Sequence, residues 1–327
     1  MKKALFLLLL LSLLGQSCGE EKEPEGQQSA NINSMSVIID ELLWNGAVGD
    51  SIRNKFASPV VGLPQEEPLF TINQYPVKLL EGYKANSRNI IVIKKGVPNH
   101  FEIRENEYRN PQIVVYIYGK TSRDIVKIIE EHSTDIIKRM RNGEIAEENK
   151  RIQKSLLNQH RIMQKFKVVL DIPTTYKYVL EKPKFLWLKK EIISGNTSIL
   201  IYEIPYSSIQ PGPNVVNHIT RVRDSIGKLY IHGTIPDTQM VTEDSYSPYL
   251  YSTKIGNRLA LETKGTWELN KDFMSGPFIN YCIFDKPADR ILVVEGFCYA
   301  PSKSKRDLML ELEAIVKSVK FRTGKKS

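Results

Sequence analysis

The chain has 327 residues, of which 25% are charged and 41% hydrophobic, and a formal net charge of +9. That composition excludes a disordered chain, a collagen-like fibre and a coiled coil, and three cysteines exclude a disulfide-built miniprotein. At roughly 150 residues per domain the length fits two units or one large one, and either can bury a core.

Lys2 and Lys3 precede an apolar run, residues 4–14, interrupted only by Ser12. The run is too short to cross a bilayer, which takes about 20 residues. Residues 1–17 therefore read as a secretory signal peptide. The stretch Leu14-Gly15-Gln16-Ser17-Cys18 resembles the bacterial lipobox, with Leu14 one place further from the cysteine than in the usual pattern. The resemblance implies diacylglycerol and palmitate on Cys18 and a lipid anchor in the cell envelope, at either face of the outer membrane. Gly15-x-Ser17 also suits ordinary signal peptidase, which would leave the chain free in the periplasm.

Residues 18–34 hold four Glu, one Lys and almost nothing apolar, the composition of a disordered acidic tether. Acids directly after an acylated cysteine resemble the surface-export signal of Bacteroidota lipoproteins. A solvated spacer is the plainer reading.

Two halves follow, 35–160 with net charge +2 and 161–322 with a 323–327 basic tail, together +8. The first half reads as a strand at 36–40, then a helix carrying Leu42, Leu43, Trp44, Ile52 and Phe56. Pro59, Pro64 and Pro68 make a loop, and strands follow at 69–72, 89–93, 101–104 and 113–118. Thr121-x-x-Asp124 caps a long helix that ends this half, with Asn142-Gly143 as an interruption. The second half reads as strands at 165–170, 185–193 and 198–202, a helix at 214–224, and strands at 229–234, 258–264, 278–284 and 291–299. A C-terminal helix at 303–319 closes it. The expected class is α+β, with antiparallel sheets each backed by helices on one face and two halves of similar plan. Trp267, Phe278, Val294 and Leu312 are expected in one cluster beneath the last helix.

One stretch is distinctive. Gly265-Thr-Trp267, Met274-Ser-Gly276-Pro277-Phe278, the run from Arg290 through Glu295-Gly296 to Pro301, Lys305-Arg306 and Leu312-Glu-Ala-Ile315 resemble the C-terminal signature of a Bacteroidota envelope lipoprotein family known only as a domain of unknown function. Trp44-x-Gly46, the run from Gly62-Leu63-Pro64 through Glu67-Pro68 to Phe70, and Arg88-Asn89-Ile90-Ile91 fit the same family. The resemblance implies an envelope location and transfers no catalytic residue.

Familiar chemistry is sparse. The five His show no metal-ligand spacing, no G-x-S-x-G occurs, and no cofactor motif is present. Gly119-Lys120-Thr121 has Val114 where a phosphate loop needs its first Gly, so it reads as a helix cap. With a hairpin turn at 286–289, Cys282 faces residue 293 or 294. Cys298 then lies about 13 Å further along, at 3.3 Å per residue. A disulfide needs Cα atoms under about 7 Å apart, so both cysteines are expected to stay reduced.

Two features bear on binding. Residues 161–190 hold eight Lys or Arg against two acids, interleaved with aromatic residues. Outside the cytoplasm this suits an anionic lipid or glycan rather than nucleic acid; strand alternation with Lys facing water is the plainer reading. Lys165, Lys167, Lys177, Lys182 and Lys184 are the candidate contacts. Glu295, in the apolar strand 291–299, needs a partner. Arg290, Lys305 and Arg306 are the sequence candidates for that role, and a polar ligand is the alternative. The leading expectation is a non-enzymatic binding or scaffold module, partnered by the membrane at Cys18 and by an envelope protein or anionic surface. A cell-wall or glycan hydrolase with an unrecognised site is the alternative.

Overall fold

A computed structural model describes residues 31–79 and 87–322. The expected signal peptide, residues 18–30 of the tether and the basic tail lie outside the described residues. Of the expected tether only residues 31–34 are described: Ile32 and Asn33 are buried and Ser34 already opens a strand.

The first half contains β1 (Ser34–Ile38), α1 (Glu41–Trp44), α2 (Ala47–Phe56), β2 (Thr71–Tyr75), β3 (Asn89–Lys95), β4 (His100–Glu105), β5 (Ile113–Gly119) and α3 (Ser122–Ile152). The sheet order is β2-β1-β3-β5-β4. Three of its pairings are parallel and only β4 runs antiparallel, against β5. The α+β class holds for the chain, but the expected antiparallel pairing fails in this half. The physical reason is burial of β3 and β5 on both faces. Ile91, Ile93, Val115 and Ile117 pack under α2 and α3, while Ile90, Val92, Val114 and Tyr116 form a second cluster behind the sheet.

Thr121 caps α3 as expected. Its Oγ1 accepts from the Asp124 N–H at 3.2 Å, and the Asp124 carboxylate accepts the Thr121 N–H at 2.9 Å. The helix then passes through Asn142-Gly143 without a break. Packing overrides the weak local propensity there, since Met140, Glu144 and Ile145 are all buried.

The second half contains α4 (His160–Phe166), β6 (Val168–Val169), β7 (Lys177–Lys182), β8 (Phe185–Ile192), β9 (Gly195–Pro205), α5 (Val215–Tyr230), β10 (Met240–Thr242), β11 (Tyr249–Ile255), β12 (Arg258–Leu269), β13 (Ser275–Asp285), β14 (Arg290–Tyr299), α6 (Arg306–Lys317) and β15 (Lys320–Phe321). Its main sheet is antiparallel throughout, in the order β10-β12-β13-β14-β9-β8-β7, with β11 also on β12. Two expected strands are largely lost: of 165–170 only Val168–Val169 are extended, as β6, with Lys165 and Phe166 closing α4, and of 229–234 the first two residues close α5 and none is in a strand.

Helices cover both faces of this sheet, where only one was expected. On one face α6 lays Leu312 and Ile315 over Val294 and Ile279; on the other α5 lays Ile219 over Phe278, Cys282 and Val293. The expected four-residue cluster is therefore split, with Trp267 and Phe278 under α5 and Val294 and Leu312 under α6. Leu312 sits so close to the sheet that a Cβ on Gly296 would lie 2.8 Å from it. The two halves also differ in plan, one mainly parallel and one antiparallel.

The halves interlock. The N-terminal part of α3 packs on the first sheet, while its Ile145 and Ile152 enter the second core. The α6 helix has no capping side chain of its own. Glu67, from the loop of the first half, takes that role: it accepts the Lys305 N–H at 2.6 Å and the Arg306 N–H at 2.9 Å. A carboxylate there satisfies two orphan donors and opposes the positive end of the helix dipole. Arg306 reaches back to the Pro68 carbonyl at 2.9 Å. Two of the motifs that carry the sequence resemblance thus meet each other. Glu67→Ala should destabilise the protein by about 1–2 kcal/mol, measured by urea unfolding. No loss would show that the cap is dispensable.

Arg141 of α3 also crosses to α6, where its guanidinium lies 2.7 Å from Glu313. Lys264 and Lys317 complete the surround. Burial alone would raise the Glu313 carboxyl, but Lys264, Arg141 and Lys317 outweigh it and hold it down at about 2. A carboxyl depressed on folding stabilises the native state above its unfolded value of 4.5, and that stability is lost as pH falls toward about 2. Urea midpoints should fall across that window, and Glu313→Gln should flatten the fall. An unchanged slope in the variant would refute this assignment.

Candidate functional site: a cationic groove and a polar cleft

An open concavity of about 690 Å³ lies where β9 ends and the β13–β14 hairpin turns. Lys286–Ala288 makes that turn as a short 3-10 segment, and Asp289 leaves it in the left-handed region at φ 48°. Arg290 stands at the groove's centre. Its guanidinium lies 2.7 Å from Glu203 and 3.1 Å from Asp285, and it donates to the Phe166 carbonyl at 2.6 Å. Arg258 pairs with the other Asp285 oxygen at 2.8 Å and stacks on Phe321, 3.6 Å from the ring centroid. Both arginines are positioned by these contacts, so the wall is built rather than mobile.

The remaining cations are less committed. Lys184 approaches Glu203 only to 3.6 Å. Lys167, held left-handed at φ 59° as the C-cap of α4, donates to the Gln164 carbonyl at 3.0 Å. Arg322 is fixed through its backbone N–H to the Lys167 carbonyl. Among the described residues, Lys167 and Arg322 have no carboxylate partner.

The five candidate lysines do not share one face. Lys167 and Lys184 line the groove. Lys182 is exposed nearby, at the end of β7, while Lys177 sits at the other end of that strand and donates to the Thr174 carbonyl. Lys165 is occupied: it pairs with Glu181 at 3.2 Å and donates to the Lys182 carbonyl at 2.7 Å. Sequence reasoning missed Arg258, Arg290 and Arg322. Their shared signal is position, each lying at the end of a strand that converges on this corner of the sheet.

A second concavity, about 480 Å³, lies between α3 and the leading ends of β3 and β5. Arg139 crosses its mouth, 2.9 Å from Asp135 and 3.0 Å from Glu105. At its floor Glu144 is fully buried and saturated. It accepts from Arg88 at 3.1 and 2.8 Å, from Asn89 at 2.8 Å and from the Asn33 N–H at 2.8 Å. A carboxylate with four donors fixes the junction of three chain segments.

Glu295 is likewise committed. Its partner is Arg223 of α5, at 2.9 and 2.7 Å in a two-pronged pair, rather than Arg290, Lys305 or Arg306. Asn280 donates to it at 2.8 Å, and Arg223 also lies 3.6 Å over the Phe278 ring and donates to Thr242. Both partners are only 1% exposed, out of reach of a ligand.

Beside them the Cys282 thiol donates to Asn280 at 3.2 Å. Cys282 pairs with Val293 in register and faces α5, whereas Cys298 faces α6, so both are free and buried. Burial pushes both thiols up, Cys298 to about 12, which leaves almost no thiolate at neutral pH. A maleimide pulse on native protein should leave both unlabelled, and denaturation should expose both. Rapid native labelling of either would contradict the packing.

Among the described residues, no group of three or more His, Cys, Asp or Glu is placed to hold a metal ion, and no helix is long and apolar enough to cross a membrane. Residues 155–318 match the family model described as Domain of unknown function (DUF4837). The chain belongs to the DUF4837 family. Residues 28–153 match a second model, Domain of unknown function (DUF8532). The groove lies mainly in the DUF4837 segment and the cleft in the DUF8532 segment. No curated protein matches the chain.

Two solved structures overlap it distantly. Cyanobacterial PsbP (CyanoP) from Synechocystis sp. PCC 6803 is 9% identical, with a TM-score of 0.31 over 46% of this chain and 84% of that one. Human StAR-related lipid transfer protein 5 is 10% identical, with a TM-score of 0.24 over 53% and 97%.

Proposed function

We propose that this DUF4837 protein is a lipid-anchored cell-envelope binding module that presents its cationic groove to an anionic cell-wall glycan. The observation that carries the reading is the groove itself: Lys167, Lys184 and Arg322 converge on a wall held rigid by Arg258 and Arg290. Fixed cations in a concave site attract spaced carboxylates or phosphates, with a strength that falls as salt rises.

Orientation favours the wall over the anchoring membrane. The chain enters the fold at Asn33, whose side chain donates to Asp307 near the start of α6. The groove lies at the opposite end of β14, a ten-residue strand spanning about 30 Å. An anchor at Cys18 would join the fold at the end away from the groove, which lets the groove face away from the lipid. The saturated state of Glu144, Glu295 and Glu313 supports a structural rather than catalytic role for the buried carboxylates.

Two measurements test this reading. Radiolabelled palmitate should enter the wild type and not Cys18→Ser, which should become soluble; an unacylated mature Cys18 would overturn the anchor. Full-length protein in detergent should co-sediment with purified sacculi at low salt and be released at high salt. Binding to anionic vesicles alone would redirect the groove to lipid, and binding to neither would remove the anionic partner.

A further inference from the structure

The main antiparallel sheet treats its edges differently. At one edge, β7 is protected: Lys177 and Lys182 flank it, a bulge between Tyr178 and Leu180 breaks the ladder, and Lys165 occupies the Lys182 carbonyl. These are the devices that keep a strand from pairing with another chain. At the other edge β10 is only three residues long. Beside it, β11 has, among the described residues, neither a bulge nor a side chain occupying its outer edge, and a single lysine. Its seven residues pair with β12 in unbroken register from Tyr249↔Lys264 to Ile255↔Arg258, with no proline and one charge, Lys254. Among the described residues no strand pairs with its outer side. Tyr249 and Tyr251, on one face, are 48% and 44% exposed.

We infer that β11 pairs with β11 of a second copy, antiparallel about a two-fold axis at Ser252. The strand is self-complementary in that register. Tyr251 meets Thr253 of the second copy and Tyr249 meets Ile255, aromatic against β-branched on one face. On the other face Lys254 meets Leu250, so no like charges oppose each other. The two lysines stand four residues apart, about 14 Å, beyond the reach of screened repulsion at physiological salt. The contact is isologous, closes at two copies and joins two eight-stranded sheets into one. No residue of β11 lines the cationic groove, which is built from the ends of β9, β12, β13 and β14.

Sedimentation velocity on detergent-solubilised full chain should show a concentration-dependent dimer. Tyr251→Glu/Thr253→Glu sets like charges directly opposite at exposed and half-exposed positions and should weaken association at least about tenfold, with the monomer's melting curve retained. Mild oxidation of Ser252→Cys should give a reducible cross-linked dimer beyond the wild-type background, because only the axial residue faces itself; Lys254→Cys should not. A chain that stays monomeric at all concentrations, or a dimer indifferent to the double charge change, overturns the pairing. So does a monomer that captures an extended peptide along β11 instead.

Discussion

Arg223→Ala should cost about 3–5 kcal/mol of stability, and Glu295→Ala a similar amount, because each leaves its partner charged and buried without compensation. Both side chains are 1% exposed, and the pair is held by two short hydrogen bonds with Asn280 and Thr242 completing the network. The double replacement Arg223→Met/Glu295→Leu should cost far less than the sum of the two, since no charge is then left behind. Chemical denaturation of the four proteins supplies the cycle. Single losses below about 1 kcal/mol would mean that water reaches the pair and that α5 is not docked as described.

The second large effect is expected at Glu144. Its carboxylate gathers Arg88, Asn89 and the backbone of Asn33 at the point where β1, β3 and α3 meet. Glu144→Ala removes the carboxylate from a guanidinium that is 3% exposed and should again cost about 3–5 kcal/mol. Asn33 also donates to Asp307 of the second half, so the damage should spread. Hydrogen exchange should accelerate through β1 and the first turn of α6 together. Exchange that rises in β1 alone would show that the halves are less tightly joined than these contacts imply.

Much of the second sheet was legible in the sequence because hairpin arithmetic is local. The turn at 286–289 set the β13–β14 register, and Cys282 pairs with Val293 as that register requires. The same parity places Phe278 opposite Phe297 and Val294 opposite Tyr281, on the other face. The split of the expected core cluster was thus readable and was missed by assuming a helix on one side only.

The first sheet carried a signal of a different kind. Ile90-Ile91-Val92-Ile93 and Ile113-Val114-Val115-Tyr116-Ile117 are continuous apolar runs, the mark of strands buried on both faces, rather than alternating ones. Long-range partners had no local signal. Arg223 lies 72 residues before Glu295, and Glu67 caps a helix 238 residues away. In the groove, Lys167 and Lys184 were visible as part of a basic stretch, but Arg258, Arg290 and Arg322 reach it only through sheet topology.

The groove is where the functional account stands or falls. Full-length wild type, Lys167→Glu/Lys184→Glu/Arg322→Glu and the control Lys138→Glu, which alters the polar cleft instead, should be titrated with purified sacculi across a salt series. Wild-type binding should weaken steeply with salt, the groove variant should lose at least about tenfold, and the control should not change. Equal binding by all three proteins, or loss in the control alone, would contradict the proposed function.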